Sequence, residues 1–295
     1  MNNFSTSRAL FSRNFSLNLG GHLLELSSPA IMGIINATPD SFHQGSRVPE
    51  PGVAVELARK MLDEGALILD VGAVSSRPGA PEISESEEIE RITPVLEAIR
   101  REFPDVAISV DTWRSSVVLR MKEQFGIQMV NDISAGKFDP EMFRTVADLG
   151  ISYVMMHMQG EPANMQDDPE YENVVDEILQ FFGERIHKLR KLGVNDVVID
   201  PGFGFGKTLE QNYHLLRELD AFAILELPLM VGLSRKSMIY KTLNCEPGAA
   251  LNGTTAANMA ALLGGASILR VHDVKEAMET VKIYRQIVES MPGSV

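Results

Sequence analysis

Short runs rich in Ile, Val and Leu alternate along this chain with longer segments in which apolar residues recur every three or four positions. The short runs fall at 31–35, 67–71, 107–110, 128–131, 152–156, 197–200, 229–233 and 267–271. Most are apolar nearly throughout, as strands of a parallel sheet covered on both faces should be. The longer segments lie at 53–64, 85–102, 114–125, 140–149, 171–192, 209–224, 252–263 and 274–288, and they carry the helical period. Eight strands, each followed by a helix, predict an α/β fold of the TIM (β/α)8 barrel type. An open, doubly wound sheet is the alternative that pattern alone leaves standing. Gly65, Gly126, Gly150 and Gly193 each stand between a helix and the next strand, where C-terminal caps belong. Residues 37–51 and 77–86 read as loops, and a loop as long as the first is more often functional than connective.

No linker or repeat divides the chain, so residues 21–295 are expected to form one barrel domain behind a flexible tail at 1–20. The tail holds Arg8 and Arg13 among Ser and Asn, and no acid precedes Glu25. Transit peptides share that bias, but this segment is short, has two arginines and lacks the apolar stretch of a secretory signal. With 295 residues and 44% hydrophobic content, the chain can bury a large core. Its single cysteine, Cys245, excludes an intrachain disulfide framework and fits the reducing cytoplasm. Against 27 Lys and Arg stand 40 Asp and Glu, a net charge of −13. Such a surface repels nucleic acid and anionic lipid, so neither is expected as a partner. No apolar run approaches the ~20 residues that span a bilayer. An anionic substrate would have to be held by a few local basic groups.

In a barrel those groups belong at the C-terminal ends of the strands. The ends read Asn36, Asp70, Asp111, Asn131, His157, Asp200, Ser234 with Arg235 and Lys236, and Arg270 with His272. Any one of these is commonly a turn or cap residue; together they describe a polar ligand site. A carboxylate such as Asp200 accepts two parallel hydrogen bonds from a ring N–H and an adjacent amino group, and Asn131 donates and accepts at once. Lys236 can donate to a ring carbonyl or meet a carboxylate. Arg270 can stack on a flat ring or clamp phosphate. Asp111 is a second acid, available to a developing cation. Arg77 and His272 bring positive charge, and Asp273 to Glu276 has capping-box-like spacing that would open a helix N-terminus to an anion.

The stretch from Asp200 to Thr208, Asp-Pro-Gly-Phe-Gly-Phe-Gly-Lys-Thr, ends like a nucleotide-binding loop. Pro201 stands where that motif needs glycine, and Lys207 breaks the dinucleotide pattern. Its alternating glycines are expected to let backbone approach a flat ligand, with Phe205 as an apolar wall. His22, His43, His187 and His214 lack metal-ligand spacing. Met155, Met156 and Met158 around His157 suit barrel packing, and Met156 could also line a flat ring.

Taken in order, these motifs resemble the dihydropteroate synthases. Asn36-Ala37-Thr38-Pro39-Asp40-Ser41-Phe42 is similar to that family's first loop, and Ser75-Ser76-Arg77-Pro78-Gly79-Ala80 to its second. Asp111-Thr112, Asn131-Asp132-Ile133-Ser134, Met156-His157-Met158-Gln159-Gly160, the Asp200 segment, Ser234-Arg235-Lys236-Ser237 and Arg270-Val271-His272-Asp273 follow. The resemblance runs from about residue 20 to 288. It implies joining of a pterin-methyl diphosphate to p-aminobenzoate with release of pyrophosphate, by a homodimer. Asp111, Asn131, Met156, Asp200, Lys236 and Arg270 would bind the pterin. Ser76, Val271 and His272 would lie at the pterin and its diphosphate. Ser76, Pro78, Phe205, Lys236 and Ser237 would frame the p-aminobenzoate pocket, where sulfonamides bind in the family. Asn36 would be the protein ligand of a Mg²⁺ held mainly by the diphosphate. Asp111, Arg77, Lys236 and His272 would carry the chemistry, a dissociative substitution. Val74 and Ser75-Ser76 replace the family's Glu-Ser-Thr before Arg77, and His43-Gln44-Gly45 departs from the usual Ser-Asp-Gly. The corrinoid-linked methyltransferases share the pterin barrel but hold no diphosphate, so the Arg77 and Lys236 motifs argue against them.

Overall fold

A computed structural model describes residues 15–37, 51–74, 83–161, 164–165 and 169–290. The barrel strands are Ala30–Asn36 (β3), Ile68–Gly72 (β4), Ala107–Asp111 (β5), Met129–Asp132 (β6), Ser152–Met156 (β7), Val197–Asp200 (β8), Met230–Val231 (β9) and Ile268–Val271 (β10). They form one parallel sheet of eight in the order β8-β7-β6-β5-β4-β3-β10-β9. A parallel bridge between Ile199 and Leu229 joins the two ends, supported by Ile199 N–H donating to Pro228 O at 3.0 Å. The barrel is therefore closed, and the open-sheet alternative is excluded. The helices Pro51–Asp63 (α1), Glu85–Glu102 (α2), Ser115–Phe125 (α3), Met142–Leu149 (α4), Val174–Lys191 (α5), Leu209–Arg217 (α6), Ser237–Thr242 (α7), Leu251–Leu263 (α8) and Val274–Glu289 (α9) surround it. Gly126 and Gly150 end α3 and α4 in the left-handed conformation, at φ 61° and 58°. No described helix is long and apolar enough to cross a membrane.

Two apolar layers result from strand alternation. Outward side chains such as Ile31, Ile35, Leu69, Val71, Ile108, Val110 and Val271 pack against the helices. Inward ones, Met32, Ile68, Met129, Val154, Val198, Met230 and Ile268, fill the lower half of the barrel. That half is plugged from below by an antiparallel hairpin, Ser16–Leu19 (β1) with His22–Glu25 (β2), whose Leu17 and Leu19 are buried in the same cluster. Ser16–Leu19 thus lies outside the tail expected from composition. The Gly20-Gly21 turn between apolar-alternating residues was the available signal.

Two further expectations change. The helix read at 209–224 breaks after Arg217, and Leu219–Leu225 continues as a 3₁₀ helix. Leu219 and Phe222, three apart, are both fully buried, a spacing that eclipses in a three-residue turn. The strand at 229–233 shortens to Met230–Val231, between Pro228, which has no N–H for the ladder, and Gly232.

Candidate active site

Register partners in a parallel sheet point to the same side, so the ladder decides which rim residues share the barrel mouth. One row links Asn36, Gly72, Asp111, Asn131, Val154 and Val198 across five pairs of strands. Met156 is level with Asp200, and Asp70 with Ser109. The upper half of the barrel interior is therefore polar where the lower half is apolar.

At its centre lies an ion cluster. Arg270 Nε donates to Asp70 Oδ2 at 2.7 Å, and Arg270 Nη2 donates to Asp111 Oδ2 at 2.6 Å. Asn131 Nδ2 donates to the same Asp70 oxygen at 3.1 Å. With both carboxylates ionised, two against one guanidinium leave the cluster with one net negative charge. Burial opposes the charge on Arg270, but Asp70 and Asp111 together outweigh it and hold the guanidinium firmly protonated. Burial pushes Asp111 up to about 7; Arg270 pulls the other way, and the neighbouring Asp70 adds to the rise. Asn131 Oδ1 is buried without a protein partner, which makes it an acceptor available to a ligand N–H.

Opposite stands Asp200, buried, with Oδ1 accepting from Gly202 N–H at 2.8 Å. Its carboxyl is raised by burial, against the pull of Lys236. Lys236 donates to Phe203 O, and its ammonium lies 4.5 Å from the Phe205 ring centroid. Burial lowers Lys236 to about 8 despite Asp200. Met156 packs with Ile133, Met158 and Met165, and Trp113, Phe138 and Phe205 close around them. Cation, carboxylate and amide thus face an apolar wall, an arrangement suited to a flat heterocycle with several N–H groups.

His272 is exposed at the rim, with its backbone N–H and Nδ1 at 3.3 and 3.1 Å from Ser234 Oγ. Ser237 opens α7, directly after Lys236. Asp273 does not form the expected side-chain cap: its carboxylate takes Arg235 Nε and Nη2, each at 2.8 Å. The Val271 side chain faces outward into the helix layer and is 1% exposed, because alternation puts it opposite Arg270, so only its backbone reaches the mouth. Ser76, Arg77 and Pro78 lie outside the described residues, as do Thr38 to Phe42.

Two glycines of the Asp200 segment lie against neighbouring backbone. A Cβ on Gly202 would sit 1.9 Å from His157 O, and one on Gly206 2.3 Å from Gln159 O. Gly202 and Gly206 thus permit close approach to the neighbouring β7 loop. Sequence reasoning gave Asp70 a place on the rim but no role; its partner is 200 residues away in the chain, and no local signal could have revealed it.

Comparison with known proteins decides the family. Residues 32–272 match the pterin-binding enzyme family. The dihydropteroate synthase of Escherichia coli strain K12 is 44% identical over 265 residues, covering 89% of this chain and 93% of that protein. The chain belongs to the dihydropteroate synthase family. The Haemophilus influenzae dihydropteroate synthase is 42% identical over 264 residues, covering 89% of this chain and 95% of the relative. The Yersinia pestis dihydropteroate synthase, solved with a sulfonamide drug complex, superposes with a TM-score of 0.88 at 41% identity over 94% of this chain and 100% of its own. The Xanthomonas albilineans dihydropteroate synthase, solved with 4-aminobenzoic acid, gives 0.85 at 37% identity over 94% and 99%. As a dihydropteroate synthase, the chain is a transferase of folate synthesis, and its barrel is that of the family.

Proposed function

We propose that the chain condenses (7,8-dihydropterin-6-yl)methyl diphosphate with p-aminobenzoate, giving 7,8-dihydropteroate and pyrophosphate by a dissociative route. The observation that carries this reading is the gathering of Asp200, Asn131, Lys236 and Arg270 at one barrel mouth walled by Met156 and Phe205. Breaking the C–O bond sends its electron pair to the diphosphate and leaves a cation spread over the pterin. The net negative charge of the Asp70–Arg270–Asp111 cluster favours that cation, while Arg77 and His272 meet the departing charge. The amine nitrogen then forms the C–N bond and gives up a proton. No covalent nucleophile is required.

Mg²⁺ belongs to this proposal. Asn36 offers one hard oxygen donor on the inward row. Among the described residues no group of three His, Cys, Asp or Glu could hold an ion, which suits one bound chiefly by diphosphate oxygens. When bound it would neutralise part of the leaving charge. We also place the protein in the cytoplasm, as its lone cysteine suggests, and read it as a homodimer. The thirteen residues of α8 include no charged side chain, and Leu263 at its end is 40% exposed. Light scattering should give twice the chain mass; a monomer at working concentration would reject the dimer.

Arg77 separates this reading from a barrel that merely binds pterin. If it meets charge that grows in the transition state, Arg77→Ala should lower kcat by more than about tenfold while the pterin Kd and melting temperature barely change. A solvated loop arginine would matter little. Turnover within about threefold of wild type, under ~0.7 kcal/mol of activation barrier, would remove Arg77 from the mechanism.

A further inference from the structure

Two polar residues singled out in the sequence have no role in the reaction above: His157 at the end of β7, and Lys207 at the close of the glycine-rich segment. The fold brings them together. Lys207 Nζ lies 3.1 Å from His157 Nδ1 and donates to Gly202 O at 2.9 Å and to Phe205 O at 3.0 Å. Its residue is 2% exposed. The lysine is aimed into its own loop, not outward as a phosphate-binding lysine would be. It bonds two backbone carbonyls of the segment at once, and Gly202 O also closes the turn by accepting from Phe205 N–H at 3.1 Å.

The same segment is held on its other sides. Tyr171 Oη donates to Gly206 O at 2.8 Å, and Gly204 N–H donates to Asn212 Oδ1 at 2.7 Å. From the mouth, Lys236 donates to Phe203 O. Lys207 therefore grips the turn from behind while Lys236 meets it from in front. Burial keeps His157 neutral, and it lowers Lys207 strongly. A neutral ring can accept from an ammonium through Nδ1 or, in its other tautomer, donate to an amine. The contact survives in either protonation state of the lysine.

We propose that Lys207, seated on His157, is a positioning residue for the second substrate: it fixes the 202–205 turn so that the Phe205 ring meets p-aminobenzoate in one geometry. This rests on the reading that Phe205 and Lys236 border that pocket. Lys207→Met keeps the apolar stem and removes the donors. It should raise KM for p-aminobenzoate about tenfold while leaving the Kd of the pterin diphosphate within about twofold. A lysine that served folding alone would lower the melting temperature without splitting those two constants.

The experiment measures both constants and the melting temperature for wild type, Lys207→Met, Tyr171→Phe and Phe205→Ala. Tyr171→Phe loosens the same segment at lower cost, so its expected rise in KM of about threefold decides the matter if Lys207→Met does not fold. Phe205→Ala reports on the pocket itself: an unchanged KM there refutes the pocket assignment. A raised KM for Phe205→Ala with unchanged values for Lys207→Met and Tyr171→Phe overturns the positioning role alone.

Discussion

Arg270→Met will destabilise the protein by about 3–5 kcal/mol near pH 8, because it strands the buried Asp70 and the half-buried Asp111 without their cation. Asp70 is fully buried, keeps one oxygen without a partner even in the wild type, and would retain only the neutral Asn131 amide as a donor. Methionine fills much of the arginine stem's volume, and lost packing contributes little. The pH dependence identifies the cause. With the cation gone, protonating Asp111, which burial already pushes up, relieves its repulsion with Asp70. The folded variant then binds that proton more tightly than the unfolded chain does, so its stability rises as pH falls. Urea unfolding should show a deficit relative to wild type that shrinks between pH 8 and pH 6, and the double variant with Asp70→Asn should recover much of it. A deficit below about 1 kcal/mol at pH 8 would show the cluster to be solvated and energetically minor.

The second large effect falls on binding. Asp200→Asn replaces a paired acceptor by a group with one acceptor and one donor face, so one ring N–H or amino group meets an N–H instead of an oxygen. The loss of a charge-assisted pair in a buried site should weaken pterin binding by about 2–4 kcal/mol. Folding should survive, because the asparagine oxygen can still accept from Gly202 N–H, as Asp200 Oδ1 does at 2.8 Å. Calorimetry on the folded variant separates the two effects. Unchanged pterin affinity would assign Asp200 to the turn alone and take from the site its strongest recognition element.

Both predictions concern residues that the strand pattern had already placed at the mouth. Asp111, Asn131, Asp200 and Arg270 end apolar runs, and alternation carries each to the inward face. The same alternation, applied strictly, would have sent Val271 outward; it entered the expected site by adjacency within a motif. The pairing of Arg270 with Asp70 was hidden because ladder neighbours far apart in the chain leave no local mark. The glycine-rich segment signals a close backbone approach, and long-range folding makes the β7 loop the neighbour of Gly202 and Gly206. The hairpin under the barrel was obscured by the polar composition around it, although Leu17 and Leu19 alternate as a half-buried strand should. Asp273 could cap its helix or bind Arg235, and the local sequence cannot weigh a partner 38 residues away.

The most direct test of the proposed reaction mixes the purified protein with p-aminobenzoate, Mg²⁺ and the pterin-methyl diphosphate and follows pyrophosphate. The account predicts pyrophosphate and dihydropteroate in equal amounts, with release that requires p-aminobenzoate. Pterin binding without pyrophosphate release under these conditions would contradict it.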